Sequence, residues 1–151
     1  MVNKMRVLAS GVFDLLHYGH IRFLEEARKL GEPNARLTVI VASDETVFRA
    51  KGRPPIMPES QRRALVEALK VVDEAIIGGK NFDMDKIIKE TRPEIVAVGH
   101  DQQGIEDQAK KLITEKNYDI KVLRLGKFGP DHLNSSSKIK KRIVERSEKR
   151  V

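Results

Sequence analysis

The chain has 151 residues, 40% hydrophobic and 34% charged, with a net charge of +7; one domain of roughly 100–200 residues accounts for that length, and a second catalytic domain does not fit. No apolar run approaches the roughly 18 residues of a membrane span, and Met1–Ser10 lacks the apolar core of a secretory signal, so a cytoplasmic protein is expected. With no cysteine, disulfides, zinc–cysteine sites, iron–sulfur clusters and thiol nucleophiles are excluded, which leaves His, carboxylate, hydroxyl and cationic groups for any chemistry.

Short β-branched runs alternate with segments of helical period. Met5–Ser10 reads as a first strand, followed by a helix marked by Phe23, Leu24, Ala27 and Leu30. A second strand covers Leu37–Ala42. The long connection from Ser43 to Asp73 contains Lys51-Gly52-Arg53-Pro54-Pro55, a cationic flap, ahead of a helix that begins at Pro58 and carries Ala64, Leu65, Ala68 and Leu69. Glu74–Ile77 is a third strand and Met84, Ile87 and Ile88 mark a short helix. Ile95–Gly99 is a fourth strand; Ile105, Ala109, Leu112 and Ile113 mark the next helix, and Ile120–Leu125 is a fifth strand. A basic helix from about residue 136 ends the chain. Every strand-to-strand link is long enough for a crossover and none is a tight hairpin, which predicts parallel strands joined by right-handed crossovers. The expected fold is therefore α/β: one doubly wound, Rossmann-like parallel sheet of about five strands in a single domain spanning residues 1–151.

Positive charge concentrates at the end of the chain, where Lys138, Lys140, Lys141, Arg142, Arg146, Lys149 and Arg150 face only Glu145 and Glu148. A nucleic-acid binder spreads a basic stripe over its body with exposed aromatics, and this chain has 5 Phe, 2 Tyr and no Trp, so nucleic acid is not the expected partner. The charges read as a solvated helix face, with Ile139, Ile143 and Val144 expected to pack inward.

In a doubly wound sheet, ligands bind outside the carboxyl ends of the strands, where strand order reverses. All 4 histidines fall there: His17 and His20 after the first strand, His100 after the fourth and His132 after the fifth. The densest segment is Gly11-Val12-Phe13-Asp14-Leu15-Leu16-His17-Tyr18-Gly19-His20. Gly19 permits close backbone approach to a ligand, and the helix N-terminus beside it offers free N–H groups and a positive dipole end to phosphate. His17 and His20 with Asp14, His100 or His132 would also suit a transition metal, but the intervening Gly and the helix end favour an anion. No Walker loop and no Gly-x-Gly-x-x-Gly fingerprint occur, which demotes a nicotinamide dehydrogenase. Asp14 is expected to cap its loop, and Asp44 to sit in a turn or helix cap rather than bind a ribose. Ser135, Ser136 and Ser137 precede the basic helix; one of them suits an N-cap, and together with free N–H groups they form a phosphate cradle.

His17-Tyr18-Gly19-His20 resembles the His-x-Gly-His signature of the nucleotidyltransferase superfamily that includes cytidylyltransferases and phosphopantetheine adenylyltransferase. Asn134-Ser135-Ser136-Ser137-Lys138-Ile139 resembles that superfamily's C-terminal serine motif. Within it, Lys51-Gly52-Arg53, Pro58-Glu59-Ser60-Gln61-Arg62-Arg63, Val66-Glu67-Ala68-Leu69 and Gly99-His100-Asp101-Gln102 are most similar to archaeal FAD synthases (FMN adenylyltransferases). The resemblance implies transfer of AMP from ATP to FMN with release of pyrophosphate. It implies that His17 and His20 hydrogen-bond the reacting phosphates, with Lys51 beside them, and that Val12, Phe13, Tyr18, Gly19, Asp101 and Ser135–Ser137 contact the nucleotide. The superfamily carries Thr or Ser where Val12 stands, so only a backbone role carries over. Lys51, Arg53, Arg62 or Arg63, and Lys127 are the candidate phosphate clamps. A divalent ion, taken as Mg²⁺, is implied because a triphosphate must be charge-compensated, and it needs few protein ligands. A homodimer is left open by the exposed strand edges of a small sheet. The rivals are a glycerol-3-phosphate cytidylyltransferase using CTP, whose Arg-Thr-Glu-Gly segment is missing here, and a non-catalytic nucleotide-binding protein, which would not need both histidines.

Overall fold

The computed structural model describes residues 2–128 and 133–150. Five strands, β1 (Met5–Gly11), β2 (Ala35–Val41), β3 (Glu74–Ile77), β4 (Ile95–Val98) and β5 (Lys121–Arg124), form one sheet in the order β3-β2-β1-β4-β5. Every pairing is parallel, with Val7 opposite both Leu37 and Ile95. Strand order reverses between β1 and β4, which fixes the ligand crevice at their carboxyl ends.

The two-residue period of the strands decides the layers. Val7, Ala9, Leu37, Val39 and Val41 face one side, under Leu24 and Ala27 of α1 (Tyr18–Lys29). The second helix, α2 (Asp44–Lys51), follows β2, and α3 (Glu59–Glu67) adds Val66 to that same layer. Leu8, Ile40, Val96 and Val98 face the other side and pack on Ile87 of α4 (Met84–Thr91) and Ile105 of α5 (Gln103–Lys116). Leu24 and Leu37 are wholly buried, and each such side chain contributes about 1.5–3 kcal/mol relative to exposure. Among the described residues no helix is long and apolar enough to cross a membrane.

Three departures from the sequence expectations have physical causes. The segment after β2 is not a loop: α2 begins under the Ser43 cap, whose Oγ accepts from the Thr46 N–H, and ends at Gly52 in the left-handed conformation. The flap is thereby shortened to the stretch between α2 and α3, and Pro58 is the N-cap of α3 rather than its first residue. The last helix, α6 (Ser136–Glu148), buries no residue. Ile143 and Val144 are more than half exposed, so of its expected inward residues only Ile139 is partly covered. The helix is pinned at its first turns, where Ser136 Oγ donates to the Asp14 carbonyl and Lys140 Nζ lies 3.5 Å from the Asp14 carboxylate.

Candidate active site

The carboxyl ends of β1 and β4 open into a cleft of about 710 Å³, in the upper part of the range usual for small-molecule sites. Its floor is set by the turn from β1 into α1. Phe13 and Leu15 both hold positive φ (55° and 50°), a strained conformation for side-chain-bearing residues that persists only where neighbours enforce it. Asp14, between them, is buried and accepts the Ile56 N–H at 2.8 Å and the Met57 N–H at 3.0 Å. It therefore caps the flap. Burial alone would raise its carboxyl, but those two N–H groups and the Lys140 cation hold it below the ordinary value.

Arg62, a candidate clamp, is corrected by its surroundings. It is fully buried: Nε donates to the Met57 carbonyl, Nη1 to the Val12 and Ala42 carbonyls, and Nη2 to the Asp44 carboxylate, at 2.7–2.9 Å. Four of its five N–H donors are bonded to three chain segments, so it braces the site. Asp44 opens α2 directly after the Ser43 cap, as the sequence suggests for that segment, and is the ionic partner of Arg62. Arg63 lies outside the cleft and pairs with Glu67 one turn along α3.

His17 is the N-cap of α1, and its backbone N–H donates to His20 Nδ1 at 3.2 Å. The two imidazoles stack with ring centroids 3.7 Å apart, and the Phe13 ring meets His20 edge-on at 5.3 Å. Burial pushes the His20 pKa down to about 3, with His17 adding to the shift and Asp14 opposing it; burial lowers His17 as well. His20 is therefore neutral at pH 7. Because its Nδ1 accepts, the proton resides on Nε2, which makes that atom a preformed donor. A Cβ on Gly19 would sit 2.9 Å from both the Phe128 carbonyl and His17 Cε1, so only glycine lets the segment after β5 cross this helix start.

The neutral pair has a measurable consequence. In nitrogen–proton NMR of the free protein, His20 is expected as the Nε2–H tautomer and uncharged at pH 5. The unfolded histidine binds a proton below about 6.5, whereas the folded one does so only near 3, so stability is present above pH 6.5 and is lost as pH falls towards 3. A His20 titration near 6.5, or the Nδ1–H tautomer, contradicts this geometry.

At the switch point, Gln102 clips the two central strands together: its Oε1 accepts the Gly99 N–H at 2.8 Å and its Nε2 donates to the Ser10 carbonyl at 2.9 Å. That orders the His100–Asp101 turn, and both residues line the cleft. Opposite, Ser135 caps α6 by accepting from the Lys138 N–H, Ser136 is tied to Asp14, and Ser137 faces the cleft. Buried Asn134 accepts from Lys138 Nζ at 2.9 Å.

Val12, Phe13, His17, Gly19, His20, Lys51, Asp101, Lys127 and all three serines line the one cleft, as does Arg53. Tyr18 does not; it is 54% exposed on the outer side of the first turn. His132 lies outside the described residues. Lys140, Gln102 and Phe82 also line the cleft without having been singled out as site residues. Lys140 stands one turn beyond Ser136, and that spacing from the serine run was the signal for it. Among the described residues no three His, Cys, Asp or Glu cluster to hold a metal.

Comparison with known proteins identifies the family. The cytidylyltransferase-like family profile matches residues 8–142. The FAD synthase of Aciduliprofundum boonei is 46% identical over 142 residues, covering 94% of this chain and 92% of that protein. The FAD synthase of Methanopyrus kandleri is 46% identical over 149 residues, covering 97% and 98%. Among solved structures, a lipopolysaccharide core biosynthesis protein from Thermoplasma volcanium is 42% identical with a TM-score of 0.75, covering 84% of this chain and 100% of that one. A pantoate–β-alanine ligase from Francisella tularensis, 14% identical over 91% of this chain and 65% of its own, shares the fold with a TM-score of 0.63. The chain belongs to the cytidylyltransferase-like family of nucleotidyltransferases and, within it, to the group of the FAD synthases.

Proposed function

We propose that this protein is an FAD synthase that transfers AMP from ATP to FMN in a single nucleotidyltransferase domain. The observation that carries the reading is the 46% identity to FAD synthases along nearly the whole chain. The converging His17, His20 and Ser137 in one cleft give it a mechanism.

An FMN phosphate oxygen attacks the α-phosphorus of ATP in line. A new P–O–P bond forms, the bond from the α-phosphorus to the bridging oxygen breaks, and pyrophosphate leaves with the electron pair. Such a transfer needs positioning and charge stabilisation and no protein nucleophile. The α1 N-terminus and the α6 first turn bracket the phosphates with backbone N–H groups. His20 Nε2–H donates to the α-phosphate as charge develops, and His17 caps the same turn. Lys140 from α6, Lys51 from the end of α2, Arg53 from the flap and Lys127 from the segment after β5 bring positive charge to the leaving pyrophosphate. Asp101, at the rim beyond β4, accepts from hydroxyl or amino groups of the nucleotide. A divalent ion, taken as magnesium, screens the triphosphate when bound. With no acidic cage among the described residues, it would be held mainly by phosphate oxygens and water.

The test is a product assay pairing each of ATP and CTP with each of FMN and glycerol 3-phosphate, in the presence of magnesium. FAD formed only from ATP plus FMN is expected. A CDP-linked product would keep the mechanism and overturn the substrate assignment.

A further inference from the structure

Both substrates of the proposed reaction carry a phosphate and a planar heterocycle, so the cleft must offer two ring sites on either side of one phosphate centre. Four phenylalanines line it. Phe13 is 3% exposed and occupied by its contact with His20. Phe23 packs into the α1 layer, and Phe128 lies beside Gly19 with the Arg22 guanidinium 6.0 Å over its ring. These three sit with α1 and the imidazoles.

Phe82 stands on the other side of the sheet. It follows β3, packs with Ile40 and Ile105 in the α4–α5 layer, and is only partly buried. Among the described residues it has no ring or cation partner. Gly104 beside Ile105 leaves open space where a side chain would begin. The loop carrying Phe82 is tied to α2: Thr46 Oγ1 donates to the Gly79 and Lys80 carbonyls, and Arg49 bonds the Lys80 carbonyl and the Asn81 amide oxygen. The helix that holds this aromatic face in place is therefore the one that ends in Lys51, a cation lining the cleft.

Resting on the FAD synthase reading, we propose that Phe82 and Ile105, backed by the buried Ile40, are the acceptor-ring site, on which the isoalloxazine of FMN stacks while its phosphate reaches towards the His17–His20 pair. A three-ring flavin with an apolar dimethylbenzene end demands an extended apolar platform, and this is the one the cleft leaves uncommitted.

The test uses the full chain and two variants. Phe82→Leu keeps apolar packing and removes the ring face; Phe82→Trp keeps the face. Steady-state KM for FMN and for ATP, and quenching of flavin fluorescence on FMN binding, are read for each. Phe82→Leu is expected to raise the FMN KM roughly 10-fold, with the ATP KM little changed, and to weaken the quenching; Phe82→Trp is expected to restore both. An unaltered FMN KM in Phe82→Leu, or a rise confined to ATP, overturns the assignment. Wild-type protein that makes no FAD overturns the reading beneath it, an outcome distinct from FAD synthesis that is indifferent to Phe82.

Discussion

Replacing His20 by alanine is expected to lower kcat by roughly 10²–10³ while ATP affinity stays within about threefold of wild type. The asymmetry comes from the state of the imidazole in the free protein. It is neutral, it is fixed by accepting the His17 N–H, and it stacks on a second ring 3.7 Å away. Its Nε2–H is thus aimed before substrate arrives and needs no reorganisation when charge develops on the phosphate. In the proposed mechanism the ground-state triphosphate is held by other groups, namely two helix starts, Ser137 and the cations that line the cleft. A donor whose bond strengthens only on the way to the transition state appears in kcat and not in binding. ATP affinity is measured by titration in the absence of FMN, and kcat from FAD formation at saturation. A variant with wild-type kcat, or one whose loss is entirely in KM, removes the transition-state role from His20.

The histidines were legible in the sequence because topology dictates their positions. Once β1 and β4 are read as neighbouring parallel strands, the segments leaving their carboxyl ends must meet. The serines before α6 were legible for a related reason, since a hydroxyl run ahead of a helical stretch marks an N-cap, the place Ser135 takes. The helix α2 was not read. Its eight residues carry only Val47 and Phe48 as large apolar side chains, and Phe48 is 55% exposed, so no buried stripe announces it. Its ends did carry signals: Ser43 before Asp44 and Glu45, and Gly52 after Lys51. Ile143 and Val144 fail in the opposite sense. Helical spacing shows that two residues share a face, but it does not supply an element for that face to meet. Arg62 was beyond local reading altogether, since an Arg in a helix of polar residues is exposed by default. Its burial depends on carbonyls from Val12, Ala42 and Met57, which only the folded chain brings together.

Arg62→Ala is expected to cost about 3–5 kcal/mol, because three buried carbonyls lose their donor at about 1–3 kcal/mol each, and to lower Tm by roughly 10 °C or more. The loss does not come mainly from the ion pair, because Asp44 is 43% exposed and water replaces its partner. It comes from the three carbonyls, which lose their donor in a place closed to solvent. Asp44→Asn is therefore expected to be mild, within about 1 kcal/mol. Arg62→Lys is expected to rescue little, since one ammonium cannot reproduce a planar fork bonded to four acceptors. The same contacts hold the Val12 carbonyl just before the strained Phe13–Leu15 turn, so the site loosens with the fold. Thermal melts of the three variants, read beside ATP titrations at a temperature where each is folded, separate the brace from the clamp. A phosphate clamp at Arg62 would leave Tm nearly unchanged and weaken ATP binding; a brace lowers Tm in Arg62→Ala and Arg62→Lys and spares Asp44→Asn.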